Sequence, residues 1–166
     1  MYTAGKLYLR GVVPSDTIAS QIIARGAAIV GPENVIDQYT RIAGAPVPSS
    51  APLYVGDLVL FDSDSAVLRP EYRQLLDLGV VLMNQNPKVT IVIRGHTDSR
   101  GSAEHNLELS QKRVAAAIAY FASKGVSVQR LSGEALGEAE PINLDGSGDA
   151  LQVNRRVEFI IQGLLD

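Results

Sequence analysis

A proline-rich segment divides this chain of 166 residues into a short and a long part. Three prolines stand within the seven residues from Pro46 to Pro52. Because proline has no backbone N–H and biases the preceding residue to extended conformations, neither a helix nor an inner strand fits there. We therefore predict a short linker at residues 46–52, between a small unit at 1–45 and a larger domain at 53–166.

The composition excludes several classes of protein. The 15 basic and 18 acidic residues give a formal charge of −3, so nucleic acid is not expected as a partner, since phosphate binding needs a basic excess. The absence of cysteine excludes disulfides, thiol catalysis and thiolate zinc sites. His96 and His105 lack a regular ligand spacing, so we expect no metal and no other cofactor. Since no nucleophile elbow, phosphate loop or zinc-helix motif is present, we expect no enzyme activity.

Residues 1–45 have the pattern of a β-α-β unit. Alternating apolar residues predict a strand over Lys6–Val13, and Pro14–Asp16 supplies a helix start with capping side chains. Apolar residues at helical spacing follow until Gly31, and Asn34–Ile42 is predicted as a second strand. Because so few residues make a thin core, we expect this unit to pack against the rest of the chain.

The longer part predicts an α+β fold, with the order β-α-β-α-β-β and helices on one face of the sheet. β-branched residues make Val89–Arg94 the strongest strand, and a long helix over Glu104–Lys124 ends at Gly125. The remaining predicted elements are a strand over Leu58–Phe61, a helix near Glu71–Asn84, a strand within Val126–Gly137, a loop over Asn143–Ala150 and a strand over Val153–Gln162.

The polar loop between the strongest strand and the longest helix is the best candidate for a site. Loops held between rigid elements often carry binding groups. At about 100° per residue, Asn106, Ser110 and Arg113 fall within roughly 60° of one another on the helix. Asp98 lies in the loop just before that helix. Asp98 and Arg113 could form a structural ion pair, or they could stand apart and bind the ammonium and carboxylate of one zwitterion.

The last strand places a guanidinium on a buried face. Strand alternation puts Arg155 with Val157 and Phe159, where it needs an acceptor or a ligand. Arg155 is thus either a ligand-binding residue or a structural bridge to the loops. Arg156 and Glu158 are predicted on the opposite face as a solvated pair, and His96 is predicted to form hydrogen bonds within the loop.

The motifs GHTDSRGS, LSQKR and NRRVEFII, together with Asn106 and the opening FDSDSAVLRP, resemble the OmpA-like peptidoglycan-binding domain over roughly Tyr54–Gly163. The resemblance implies that Asp98 and Arg113 hold the ammonium and carboxylate of diaminopimelate in the cell-wall stem peptide. It also implies that Asn106 and Arg155 line the same site. On this reading the protein is a non-catalytic tether to peptidoglycan, in the periplasm or associated with the outer membrane.

The N-terminal unit is similar to part of a BON module, through LYLRGVVPSD and the helix and strand that follow. BON modules are associated with phospholipid surfaces, so envelope lipid is a possible second partner, and the pairing of the two modules resembles actinobacterial envelope proteins. The alternative function is a protein- or lipid-interaction module with a vestigial glycan pocket. Since the first residues lack a signal-peptide pattern, we expect any export or anchor segment to lie outside this sequence.

Overall fold

The computed structural model describes residues 7–46, 53–55, 59–144 and 147–163. The predicted linker lies outside these residues except for Pro46. The strands are β1 (Leu7–Val13), β2 (Val35–Arg41), β3 (Leu53–Val55), β4 (Val59–Leu60), β5 (Thr90–His96), β6 (Leu131–Gly137) and β7 (Arg156–Gln162). The helices are α1 (Asp16–Val30), α2 (Arg73–Gln85), α3 (Ala103–Ser123) and α4 (Gly148–Asn154).

The larger sheet has four strands in the order β4-β7-β5-β6. β5 runs parallel to β6 and antiparallel to β7, so the end of β5 lies beside the end of β6 and the start of β7. The central strand β5 carries the β-branched series of the sequence, with Ile91 and Ile93 almost fully buried. These pairings fix the position of the polar loop that follows β5.

Two glycines let α3 lie close against this sheet. A Cβ on Gly95 would stand 2.5 Å from the carbonyl oxygen of Ser110, and one on Gly133 would stand 2.4 Å from Val114 Cγ1. Side chains at either strand position would therefore push α3 away from the sheet. The close approach holds the polar stripe of α3 next to the end of β5.

The smaller sheet has the order β2-β1-β3. β1 and β2 are parallel and are joined through α1, whose start is capped by the Ser15 side chain accepting from Ile18 N at 3.4 Å. The third strand, β3, pairs antiparallel with β1 although it follows the proline-rich segment. The small sheet therefore contains three residues from the range that we predict as the second domain.

One hydrophobic core joins the two sheets. It contains Leu9, Val13 and Ile22 of the N-terminal unit together with Phe61, Phe121 and other residues of the larger unit. Because β1, α1 and β2 supply few buried side chains of their own, this shared core explains how so small a unit is stabilised. The shared core agrees with the expectation that this unit packs against the rest of the chain.

The predicted α+β class is confirmed, and the differences from the predicted elements are local. α4 lies between β6 and β7, where a loop over Asn143–Ala150 and the start of a strand at Val153 were predicted. Ser147 caps this helix by accepting from Ala150 N at 3.3 Å. In the described part of the chain, none of the helices combines the length and apolar character needed to span a bilayer.

Candidate ligand-binding site

A cavity of about 260 Å³ opens at the end of β5, between the loop after β5, the start of α3, the turn after β4 and the residue after α4. All four predicted site residues line it. The full lining is Ser63, Asp64, Thr97, Asp98, Arg100, Gly101, His105, Asn106, Leu109, Arg113 and Arg155. The structure therefore brings together the residues that the sequence pattern singles out.

Asp98 is a largely buried carboxylate that two guanidiniums contact. Its Oδ2 accepts from Arg100 Nη2 at 2.8 Å and from Arg155 Nη1 at 3.0 Å, and its Oδ1 accepts from the backbone N–H of Arg100 at 3.0 Å. Burial raises the pKa of Asp98, but the hydrogen bonds from Arg100 and Arg155 outweigh it and leave the pKa below its usual value. Asp98 is thus a fixed negative charge at one wall of the cavity.

Arg113 also lines the cavity, and its side chain is completely buried. It donates to three backbone carbonyls: from Nε to Ser65 at 2.9 Å, from Nη1 to His96 at 2.7 Å and from Nη2 to Asp62 at 3.2 Å. Its guanidinium also lies 5.0 Å from the centre of the Phe61 ring. Burial, with a smaller contribution from Arg155, lowers its pKa to about 10, so the group stays charged at neutral pH.

Asp98 and Arg113 form no hydrogen bond or ion pair with each other among the contacts that the described residues make. The structural pairing of these two residues, one of the two alternatives that the sequence left open, is therefore wrong. Each charge is instead neutralised by other groups, Asp98 by arginines and Arg113 by carbonyl dipoles. Both line the same cavity, which is what joint binding of a zwitterion requires.

Arg155 reaches the cavity by a different route from the predicted one. It is not on the buried face of β7, because it precedes that strand and follows α4 with φ −81° and ψ 75°. Its Nε donates to the Phe61 carbonyl at 3.1 Å while its Nη1 donates to Asp98. Arg155 therefore connects the turn after β4 to the acidic wall of the cavity.

The three residues of the predicted polar stripe of α3 are buried, and they have different roles. The Asn106 amide donates to a carboxylate oxygen of Glu138, which holds the amide in place at the cavity wall. The Ser110 hydroxyl accepts from Gly137 N at 3.1 Å and donates to the Leu107 carbonyl at 2.7 Å. Ser110 thus attaches α3 to the end of β6 and stays outside the lining.

Sequence reasoning missed several groups at the mouth of the cavity. Arg100, with a side chain that is 54% exposed, contacts both Asp98 and Ser63 Oγ. Asp64 pairs with His105 at 2.8 Å across the rim. Aspartate side chains in turns often accept from the backbone N–H of the second residue after them. This tendency could have indicated the contact between Asp98 and Arg100. The rim pair joins segments far apart in sequence and carries no local signal.

Behind the cavity lies a buried polar cluster that corrects two predictions. His96 is the fully buried last residue of β5 rather than a loop residue, and neither ring nitrogen has a hydrogen-bond partner among the described residues. Arg156 and Glu158 are paired but buried, not solvated, with side chains 3% and 11% exposed. Burial raises the pKa of Glu158, but His96, 3.7 Å away, and Arg156 lower it to about 2.

The arrangement offers charged groups of both signs at fixed positions. In the part of the chain that the structure describes, no three His, Asp or Glu side chains lie together so as to hold a metal ion. Each charge-assisted hydrogen bond to a ligand would contribute about 1.5–3 kcal/mol before ordering costs. The cavity thus presents carboxylates and guanidiniums to a small polar ligand.

Comparison with known sequences matches residues 60–155 to the OmpA family. The peptidoglycan-associated lipoprotein of Mesorhizobium japonicum is 34% identical over 157 residues, which are 93% of this chain and 94% of that protein. Outer membrane protein A of Bordetella avium is 36% identical over 118 residues, 71% of this chain and 61% of that protein.

Comparison with solved structures agrees with the sequence matches. The crystal structure of the peptidoglycan-associated lipoprotein from Burkholderia pseudomallei superposes with a TM-score of 0.63 at 31% identity. The match covers 65% of this chain and 92% of that chain. The similarity therefore extends over nearly all of that chain.

Proposed function

The chain belongs to the OmpA family, and from this premise we propose that it binds cell-wall peptidoglycan non-covalently and so tethers an envelope protein to the wall. The family resemblance predicted from the motifs is confirmed by the match over residues 60–155. A relative that is 34% identical over nearly its whole length is named a peptidoglycan-associated lipoprotein. The proposed location is the cell envelope, in the periplasm or at the outer membrane.

The ligand group that we propose is the free zwitterionic end of diaminopimelate in the stem peptide. Asp98, which Arg155 holds in place, receives its ammonium, and the positive charge of Arg113 attracts its carboxylate. Asn106 lines the cavity beside the headgroup, where its amide oxygen can accept a hydrogen bond. This peptide side group is proposed to enter the cavity of about 260 Å³ and so to hold the protein on the wall.

A single observation carries this proposal: Asp98 and Arg113 line one cavity, and their hydrogen bonds go to other groups rather than to each other. If Asp98 and Arg113 were paired with each other, they would have to separate before a zwitterion could bind between them. Here Asp98 accepts hydrogen bonds from Arg100 and Arg155 at the cavity wall. Arg113 is held rigidly by three carbonyls. A rigid cation and a fixed carboxylate are preorganised for a ligand that carries both charges.

Each site binds weakly, and the polymer makes the attachment durable. Two or three charge-assisted bonds, less the ordering costs, correspond to roughly millimolar to micromolar affinity for a single headgroup. Peptidoglycan presents many such groups along one surface, so a protein that dissociates from one rebinds to the next. A tether of this kind needs neither a covalent bond nor catalysis.

For residues 1–45 we propose a BON-like role at the lipid surface of the envelope, in the actinobacterial pairing of modules. The support is the parallel β-α-β unit of β1, α1 and β2, which begins within the motif LYLRGVVPSD. Arg25 is the single basic residue within α1, so the electrostatic contribution to lipid binding would be small.

Co-sedimentation tests both proposals. The protein is mixed with isolated walls that contain diaminopimelate, with walls that contain lysine at the same position, and with anionic phospholipid vesicles. Retention by the diaminopimelate wall but not by the lysine wall supports the proposed function, because lysine lacks the second carboxylate. Retention by vesicles alone would favour the alternative of a lipid-interaction module with a vestigial pocket.

A further inference from the structure

The cavity carries more positive charge than a zwitterion can use. Three arginines and two aspartates line it, in a protein whose overall formal charge is −3. One of the aspartates, Asp64, is exposed on the rim and faces His105. A ligand with one ammonium and one carboxylate adds no net charge, so the cavity would keep its formal excess of three arginines over two aspartates.

Arg100 is the guanidinium that a ligand can displace. Both Arg100 and Arg155 contact Asp98, but the Arg155 side chain is 13% exposed and is also held by the Phe61 carbonyl. The Arg100 side chain is 54% exposed, and its further contact is with the exposed Ser63 hydroxyl. An ammonium that approaches Asp98 from the solvent therefore replaces Arg100, whereas Arg155 stays in place.

We propose that Arg100 is a specificity-determining residue which, on leaving Asp98, binds a second carboxylate of the same ligand, in the peptide next to the diaminopimelate headgroup. The inference rests on the proposed function and specifies its ligand further. In a stem peptide the glutamate that precedes diaminopimelate presents such a carboxylate when it is not amidated. The site thus distinguishes the acid form of the peptide from the amide form.

The exchange keeps every charge paired. Before binding, Asp98 is paired with Arg100; afterwards Asp98 is paired with the ammonium and Arg100 with the second carboxylate. A ligand without that carboxylate leaves the guanidinium without an ionic partner at the mouth of the cavity. The amide form replaces Arg100 at Asp98 in the same way but offers Arg100 no carboxylate in return, and we expect it to bind about tenfold more weakly.

The experiment uses two synthetic tripeptides, alanyl-γ-glutamyl-diaminopimelate with the glutamate α-carboxyl either free or converted to the primary amide. Their affinities are measured by calorimetry or by amide NMR for the wild type, Arg100→Gln and Lys112→Gln. Lys112 is the matched control, since it carries the same charge on the exposed face of α3, where it pairs with Glu108. Melting curves verify that each variant is folded.

The wild type and Lys112→Gln are expected to prefer the acid to the amide about tenfold, and Arg100→Gln to bind the two peptides equally. Equal affinity of the wild type for both peptides would overturn the inference, as would an undiminished preference in Arg100→Gln. Either result leaves the proposed function standing, because both peptides would still bind. If neither peptide bound the wild type, the proposed function itself would be refuted.

Discussion

The Arg155 guanidinium donates to Asp98 Oδ2 at 3.0 Å, joining residues 57 positions apart in the sequence. The same side chain donates to the carbonyl of Phe61, so it links the loop after β5 to the turn after β4. Asp98 is therefore held by Arg155 and Arg100 rather than by Arg113. This pairing leaves Arg113 to its carbonyl partners and gives the cavity two separate centres of charge.

A double-mutant cycle tests the pairing of Asp98 with Arg155. Asp98→Asn and Arg155→Gln should show a coupling free energy of about 1–3 kcal/mol in urea unfolding, since each removes the partner of a mostly buried charge. The corresponding cycle of Asp98→Asn with Arg113→Lys should give a coupling close to zero. A larger coupling with Arg113 than with Arg155 would show that the two site charges are paired after all.

Replacement of Arg113 should be costly to stability. Arg113→Met removes the donor from three carbonyls, of which that of His96 is buried and the other two are partly buried, so the free energy of unfolding should fall by about 3 kcal/mol or more. Arg113→Lys keeps the charge but supplies a single ammonium, and we expect an intermediate loss. Urea midpoints measure both, and a loss within about 0.5 kcal/mol for the methionine variant would contradict the structural role.

The buried Glu158 should make stability depend on pH in the acid range. Its pKa in the folded protein is about 2, below the ordinary value of 4.5, so its contribution is present above pH 4.5 and is lost as the pH falls toward 2. Glu158→Gln should therefore be less stable than the wild type at neutral pH, by on the order of 1–3 kcal/mol. The difference should shrink as the pH falls between about 5 and 2.

Glu108→Gln is the control for that titration, because Glu108 pairs with Lys112 on the exposed face of α3. Exposed pairs contribute little, so its stability should follow that of the wild type closely at each pH. A Glu158→Gln variant whose deficit stayed constant from neutral to acid pH would assign the effect to packing rather than to the carboxylate charge.

Addition of one methyl group to β5 should disturb both stability and binding. A Cβ at Gly95 would stand 2.5 Å from the Ser110 carbonyl oxygen and 2.7 Å from Val114 Cγ2, so Gly95→Ala must displace α3. We expect a loss of about 1–3 kcal/mol and weaker retention on cell walls. Gly148→Ala, where the added Cβ has no neighbour within 4 Å, should behave like the wild type in thermal melts and sedimentation.

The local part of the site could be predicted from sequence and the long-range part could not. Helical spacing alone placed Asn106, Ser110 and Arg113 on one stripe, and β-branched residues identified the strand before the loop. The carbonyl partners of Arg113 at Asp62 and Ser65 are about 50 positions away, and no periodicity connects them to α3. Their positions follow from tertiary packing, which a pattern over neighbouring residues does not contain.

The position of Arg155 shows how one missed element alters a prediction. The seven residues of α4 include a glycine and an aspartate at the start, a composition that favoured a loop. With no helix there, the last strand was extended to Val153 and Arg155 was assigned to its buried face. The capped helix moves the strand start to Arg156, so Arg155 becomes a junction residue that can turn toward Asp98.

Titration of the isotopically labelled protein with meso-diaminopimelate, followed by amide NMR, tests the central claim most directly. The largest shifts should fall on the loop from Thr97 to Gly101 and on the amides around Asn106 and Arg155. Asp98→Asn should abolish or weaken these shifts at least tenfold, whereas Glu108→Gln should leave them intact. Shifts confined to another surface, or an undiminished response of Asp98→Asn, would contradict binding of the headgroup in this cavity.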